Sequence, residues 1–276
     1  DQAITLSNTT NALTGAVAFT TGGTTGNVVI DNGTTGLDLA ASTISGTLNA
    51  TGGASAGIVD SGNVAVAGNV TLSTDAGNGV INMGTLQQSA GDLILVTNGN
   101  GAATVVNNAG IDFGTSNVGG ALSATASAGN ITQNGGALTV AGTSSFILGA
   151  NSANVVLDHA SNVFSGAVTL LAGAGGSQAF GNVTFVDDSA VKIDANADAA
   201  GDLYLNAGTD GAVGGNLAVT ATTGNITQGV AVAVTGTSAF TTSATDATIT
   251  LGTTTNALGG TVAFTTAGTA GNVVID

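Results

Sequence analysis

The sequence predicts an all-β chain wound as a parallel β-solenoid. Three observations lead there: internal repeats, short runs of alternating apolar residues, and a near absence of the residues that build helices.

The repeats come first, because a fixed period selects repeat architectures before any local propensity is weighed. Gly129-Asn130-Ile131-Thr132-Gln133 returns as Gly224-Asn225-Ile226-Thr227-Gln228, a shift of 95 residues. Around it Gly120-Ala-Leu-Ser-Ala-Thr-Ala126 returns as Gly215-Asn-Leu-Ala-Val-Thr-Ala221, and Val140-Ala-Gly-Thr-Ser-Ser-Phe146 as Val234-Thr-Gly-Thr-Ser-Ala-Phe240. One super-repeat is thus about 94 or 95 residues. A second relation ties the ends together: Asn11–Thr21 matches Asn256–Thr266 and Gly26–Asp31 matches Gly271–Asp276, both 245 residues apart. The chain therefore opens and closes at one phase of the pattern, without an atypical polar cap, the expectation for a window in a longer array. It is read as one continuous segment over residues 1–276.

Alternation gives the strands. Val17/Phe19, Val28/Ile30, Leu93/Leu95, Val168/Leu170, Val183/Phe185, Leu203/Leu205, Ile249/Leu251 and Val262/Phe264 are each two residues apart, which places each pair on one strand face. Gly and Asn cluster between the runs, as in Asn98-Gly-Asn-Gly101 and Gly173-Ala-Gly-Gly176, where the chain can turn sharply. Strand and turn alternate with no helical interlude, so a sandwich and a solenoid are the candidates. Repetition decides for the solenoid, in which equivalent strands are expected to lie on one another, with amide and hydroxyl ladders outside and Val, Ile and Leu stacked inside. A coil of about 19 to 23 residues gives roughly 12 to 15 coils.

Composition excludes helices and several partners. Charged residues make up 6% of the chain against about a quarter in ordinary soluble domains. All sixteen acids are Asp, Lys192 is the one strong base, and the formal charge is -15. Strand and turn formers dominate instead. A single Lys cannot neutralise phosphates, which argues against nucleic acid and anionic membrane surfaces as partners. Every apolar run is interrupted well before the eighteen or so residues of a spanning helix, so no membrane insertion is expected. Cys and Pro are absent. That suits a chain exported unfolded, with no disulfides to jam and no slow prolyl bonds. The chain starts at Asp1 without a basic-then-apolar leader, the expectation for an excerpt or a processed product.

The run Ala247-Thr-Ile-Thr-Leu-Gly-Thr-Thr-Thr-Asn-Ala-Leu-Gly-Gly-Thr-Val262, and Gly215-Asn-Leu-Ala-Val-Thr-Ala-Thr-Thr-Gly-Asn-Ile-Thr-Gln228 followed by Val234–Phe240, resemble the repeats of filamentous-haemagglutinin-like giant exoproteins of Gram-negative bacteria. The resemblance covers essentially the whole chain. It implies a right-handed parallel β-helix, an extracellular or cell-surface location, and work as an adhesin, matrix or fibre component. Host or neighbouring-cell surfaces and glycans are the implied partners, and end-to-end self-association into a filament is expected from the shared phase of the two ends. A self-assembling surface-layer or biofilm-matrix subunit with calcium-bridged contacts is the alternative. An ice-binding array would need Thr-x-Thr at a constant coil interval, which Thr220-Ala-Thr222 and Thr253-Thr-Thr255 do not give.

Chemistry-bearing residues are few, and no catalytic, cofactor or metal residue is assigned. His159, flanked by Asp158 and Ser161, invites a triad reading, but neighbours on a strand point to opposite faces, so it is taken as a loop or surface histidine. A carbohydrate-active β-helix enzyme is the less favoured alternative; Asp187 and Asp188, or repeated Asp positions, could serve it as an inverting pair only by facing one groove. Asp194-Ala-Asn196-Ala-Asp198-Ala-Ala-Gly-Asp202 sets oxygens at calcium-loop spacing, but Ala199 replaces the turn Gly and Leu205 the bidentate Glu. It is read as an Asp/Asn-rich turn. Lys192 is expected to pair with Asp187, Asp188 or Asp194. Asn-x-Ser/Thr sequons at Asn8, Asn32, Asn49, Asn69, Asn130, Asn182 and Asn225 are ascribed to composition.

Overall fold

The computed structural model describes residues 2–53, 56–75, 77–173, 178–208 and 210–276. The described residues form thirty-two strands and no helix, and every strand pairing found is parallel. The chain is an all-β parallel β-solenoid, built as two compact units: Asp1–Ser127 with Asn134–Gly142, and Ala128–Gln133 with Thr143–Asp276.

In the first unit six strands follow one another in one sheet: Ile4–Leu6, Val28–Asp31, Leu48–Gly52, Val70–Thr74, Leu93–Val96 and Ile111–Phe113. Val28 faces Leu48, which faces Val70, which faces Leu93, so successive coils take 20, 22 and 23 residues. A second sheet runs from Leu37–Leu39 through Ile58–Asp60, Ile81–Gln88 and Ala103–Asn107 to Leu122–Ala126. Between the two lies a short third run, Ser42–Ile44, Val64–Val66 and the end of Ile81–Gln88.

The second unit repeats the plan. Ile131–Gln133, Val155–Leu157, Val183–Asp187, Leu217–Ala221, Ser238–Thr245 and Val262–Ala267 make one sheet. The short third run is Ala212–Val213, Ala233–Val234 and Ala257–Leu258. Six strands in each leading sheet of the described residues agree with the lower end of the expected coil count. Coil length departs from expectation: Val155 faces Val183 and Val183 faces Leu217, steps of 28 and 34 residues. The longer coil holds two strands of the same sheet, Val191–Asp194 and Asp202–Asn206, with Lys192 opposite Asp202, so an extra loop is stored within one turn.

Alternation works as read except at Val17/Phe19, which lie outside any strand: Val17 is half-buried and makes only an isolated parallel bridge to Leu39, although Phe19 is buried. Val28, Ile30, Leu93, Leu95, Val183, Phe185, Leu203, Leu205, Ile249 and Leu251 are all at most 1% exposed. Val262 and Phe264 are half-buried because Val262–Ala267 is the outermost strand of its sheet. Phe240 stacks on Phe264 at 5.8 Å, and Phe146, Phe164 and Phe185 form a second aromatic column. Of the turn expected at 173 to 176, only Gly173 lies among the described residues, with φ 76°.

Two expectations need correction. Super-repeat copies do not lie on one another: Ser144–Leu148 pairs with Val168–Ala172 in one sheet, whereas its copy in Ser238–Thr245 pairs with Leu217–Ala221 in the other. Both faces ask for the same thing, alternating apolar residues after a Gly/Asn corner, so one sequence fits either. The polar ladders are also not copy-to-copy amide contacts; they join side-chain amides to the backbone of the next coil, as described below.

Candidate functional site

The sequence-selected acids and the histidine are separate features of coil corners. His159 is half-buried, and its Nδ1 accepts the backbone N–H of Ser161 at 3.1 Å, so imidazole and serine meet through the main chain and not through the hydroxyl. Asp187 is buried, 2% exposed, whereas Asp188 is half-exposed. Its Oδ1 accepts N–H groups of Phe164 and Asp188 at 3.0 and 2.9 Å, and its Oδ2 the Ser189 hydroxyl at 2.7 Å. Burial pushes the Asp187 carboxyl above its ordinary value, with the neighbouring Asp188 charge adding to the rise and the three hydrogen bonds opposing it. The two aspartates therefore do not share a groove. One is locked in the wall.

The Asp194–Asp202 stretch closes on itself. Lys192 Nζ pairs with Asp194 Oδ2 and lies 3.9 Å from Asp202 Oδ1, which selects Asp194 from the three expected partners and leaves Asp187 and Asp188 aside. This hydrogen bond from Lys192 holds the Asp194 carboxyl below its usual range. Backbone N–H groups of Ala195 and Ala199 bind Asp194 Oδ1 and Asp202 Oδ2, both at 2.8 Å. Among the described residues no three His, Cys, Asp or Glu side chains gather as a metal ion would require.

What the coils do organise is asparagine. Asn130, Asn154, Asn182 and Asn216 stand at one corner of successive coils, just before the strands of the leading sheet. The backbone N–H of Asn154 donates to Asn130 Oδ1 at 2.8 Å, that of Asn182 to Asn154 at 2.6 Å, that of Asn216 to Asn182 at 2.9 Å, and that of Thr237 to Asn216 at 2.8 Å. In the first unit Asn27 and Asn69 receive Thr47 and Asp92 in the same way. The glycine before each of the donors Thr47, Asp92, Asn182, Asn216 and Thr237 fits because it has no Cβ: at Gly236 one would lie 2.2 Å from Asn216 Oδ1. Four sequon asparagines, Asn69, Asn130, Asn182 and Asn225, thus serve as corner acceptors. Asn32 is fully buried, whereas Asn8 and Asn49 are exposed.

A second set of amides works inside. Asn32 Oδ1 accepts Leu13 N–H at 2.8 Å while its Nδ2 donates to the Leu13 carbonyl at 3.0 Å, and Asn107 treats Gln88 identically at 2.8 and 3.0 Å. Gln133 with Asn162, and their super-repeat copies Gln228 with Asn256, form reciprocal amide pairs at 2.7–3.0 Å. A side-chain amide has the donor and acceptor of a peptide group, so it can replace one where the strand breaks. Sequence reasoning missed these pairs, although the recurrence of a Gln and an Asn at near-equal spacing, 29 residues in one copy and 28 in the other, carried the signal within the chain itself.

Each unit also carries a shallow trough along its short third run. One, of about 510 Å³, is bordered by Thr43, Ala65 and Gln87, and the other, of about 480 Å³, by Ala212, Ala233 and Ala257. Both are lined by uncharged side chains, which offer shape and no acid–base chemistry.

The family described as repeats of unknown function (DUF5649) matches residues 25–93, 100–171 and 180–265. The chain belongs to this family. Its units begin at residues 25, 100 and 180, closer together than the 95-residue shift, and they open alternately at Val28–Asp31, Ala103–Asn107 and Val183–Asp187. Comparison with curated proteins and with solved structures yields no match.

Proposed function

We propose that this family member is a non-enzymatic structural or adhesive segment of an extracellular, filamentous-haemagglutinin-like bacterial surface protein. The observation that carries this reading is the Asn130–Asn154–Asn182–Asn216 ladder, in which each coil fixes the backbone of the next. A fold held by nearest-neighbour steps lengthens by adding coils without redesigning a core, which is what a fibre or a spacer at a cell surface requires. The acidic, Lys-poor composition favours solubility outside the cell and disfavours nucleic acid as a partner. Attachment to neighbouring cells or their glycans, and end-to-end association of coils by parallel strand addition, belong to the same proposal.

A self-assembling matrix subunit is the second reading. Asp75, Asp158, Asp198 and Asp246 are exposed, and divalent cations between molecules would relieve their mutual repulsion.

Immunolabelling and protease shaving of intact producing cells, together with an attachment assay on a deletion strain, test the first reading. Labelled surfaces and lost attachment are expected. A protein confined to the cytoplasmic fraction sinks it. Sedimentation of the purified segment with calcium and with chelator separates the two: association that needs calcium supports the matrix reading.

A further inference from the structure

We propose that Asn98 and Asn134 are self-modifying positions, at which the side-chain amide converts without an enzyme to aspartate and isoaspartate, while the fold holds the same dipeptide inert at Asn32. The chain has five Asn-Gly pairs, beginning at Asn32, Asn78, Asn98, Asn100 and Asn134. In sequence they are alike. The structure separates them.

The step is hydrolysis through a cyclic imide. The glycine nitrogen gives its proton to hydroxide and attacks the asparagine Cγ; the new N–Cγ bond forms, the Cγ–Nδ2 bond breaks, and Nδ2 leaves as ammonia with a proton from water. Water then opens the ring. Attack at Cγ restores an ordinary peptide bond beside an aspartate, and attack at the main-chain carbonyl leaves isoaspartate, with the main chain running through Cγ. The net change consumes one water and releases one ammonia. It needs an unpaired glycine N–H, an unheld side-chain amide, and room for the turn to fold over.

Asn134 meets all three. It is exposed, neither its side chain nor the Gly135 N–H is bonded to a described residue, and Gly135, with φ 109°, has nothing within 4 Å of the direction a side chain would take. Asn98 meets two of the three: it is exposed and likewise unheld, and the Gly99 N–H has no described partner, but its turn has less room, since a Cβ at Gly99 would lie 2.2 Å from Asn78 Oδ1. At Asn32 every requirement fails: the residue is fully buried, its Oδ1 and Nδ2 are both bonded, and the Gly33 N–H donates to Asp31 Oδ1 at 2.8 Å. Asn78 has its Oδ1 held by the Asn100 N–H at 2.8 Å, and the Gly101 N–H that Asn100 would need donates to the Asn98 carbonyl at 3.1 Å. Each conversion adds a negative charge to a chain at -15, and isoaspartate also lengthens the main chain in the turn after Leu93–Val96 or before Leu138–Val140. The two sites would record the age of a long-lived molecule as accumulating charge.

The test is peptide mapping by mass spectrometry, with fragmentation that distinguishes isoaspartate, on purified protein kept at mildly alkaline pH, folded and in denaturant. In the folded protein, conversion at Asn98 and Asn134 is expected to exceed that at Asn32 by about tenfold or more, because Asn32 reacts only through local opening. In denaturant the three rates converge. The variant Gly135→Ala, checked for native circular dichroism, slows Asn134 and leaves Asn98 unchanged. Equal folded-state rates at all three sites, or no conversion at Asn98 and Asn134 where the denatured chain converts, overturns the proposal.

Discussion

Asp187 occupies a corner position where Asn32 and Asn107 do similar work: an oxygen of each side chain accepts a backbone N–H from the preceding coil. The carboxylate brings a buried charge that the amides avoid, and burial raises its pKa above the ordinary value. A raised folded-state pKa means that the native state holds the proton more tightly than the unfolded chain. The stabilising contribution is therefore present at low pH and is lost as pH rises through the folded-state pKa. Asp187→Asn is expected to be more stable than the parent near neutral pH, by on the order of 1 kcal/mol, with the advantage shrinking as pH falls toward the acid range. Urea melts at several pH values check this; a constant difference between the two proteins would show that the carboxylate does not titrate in that range. None of this was legible in the sequence. Asp187 and Asp188 are adjacent and chemically identical there, and only the coil path decides which one enters the wall. The same limit applies to the internal amides: composition announced many asparagines but could not say that Asn32, Asn107 and Asn162 would be buried as stand-ins for peptide groups.

At the scale of the coil, sequence and structure agree on the strands and differ on the corners. The two-residue spacing of Val183/Phe185 or Leu203/Leu205 was sufficient, because a strand has only two faces and one of them is apolar. Gly-Asn pairs were read as turn formers, which is half of their role. The other half is between coils: the asparagine oxygen holds the next coil's N–H, and the next glycine must lie against that oxygen. Steric consequence follows position by position. Gly236→Ala would set a methyl group 2.2 Å from Asn216 Oδ1 and 2.7 Å from the Gly215 carbonyl, whereas an alanine at Gly252 meets nothing within 4 Å. Gly236→Ala is expected to cost about 1–3 kcal/mol through forced displacement of the ladder. Gly252→Ala, at a φ outside the left-handed region, is expected to be neutral or to gain about 0.4–1 kcal/mol by restricting the unfolded chain. Chemical denaturation of the pair reads both; equal destabilisation would mean that the cost lies in backbone freedom and not in the inter-coil contact.

At the scale of the whole molecule, the repeat was visible and its geometry was not. A period of 94 or 95 residues reports similarity of sequence, while stacking follows coil length, which varies from 19 at Ala103–Leu122 to 35 at Val168–Leu203. Copies such as Phe146 and Phe240 therefore settle on different sheets, and both are buried completely because each sheet accepts the same alternation. Such a fold has no single centre. Stability is close to a sum of coil terms and neighbour terms, so damage at one coil reaches its neighbours and fades beyond them. Leu205 is fully buried, its strand pairs with Val168–Ala172 on one side and Val191–Asp194 on the other, and a carboxylate there has no partner. Leu205→Asp is expected to cost several kcal/mol locally. Hydrogen exchange should show amide protection falling in Val168–Ala172, Val191–Asp194 and Ile226–Gln228, with Val28–Asp31, Leu48–Gly52 and Val70–Thr74 retaining theirs. A uniform loss across all of these strands would mean that the chain unfolds as one cooperative body, and the nearest-neighbour account of its stability would have to be abandoned.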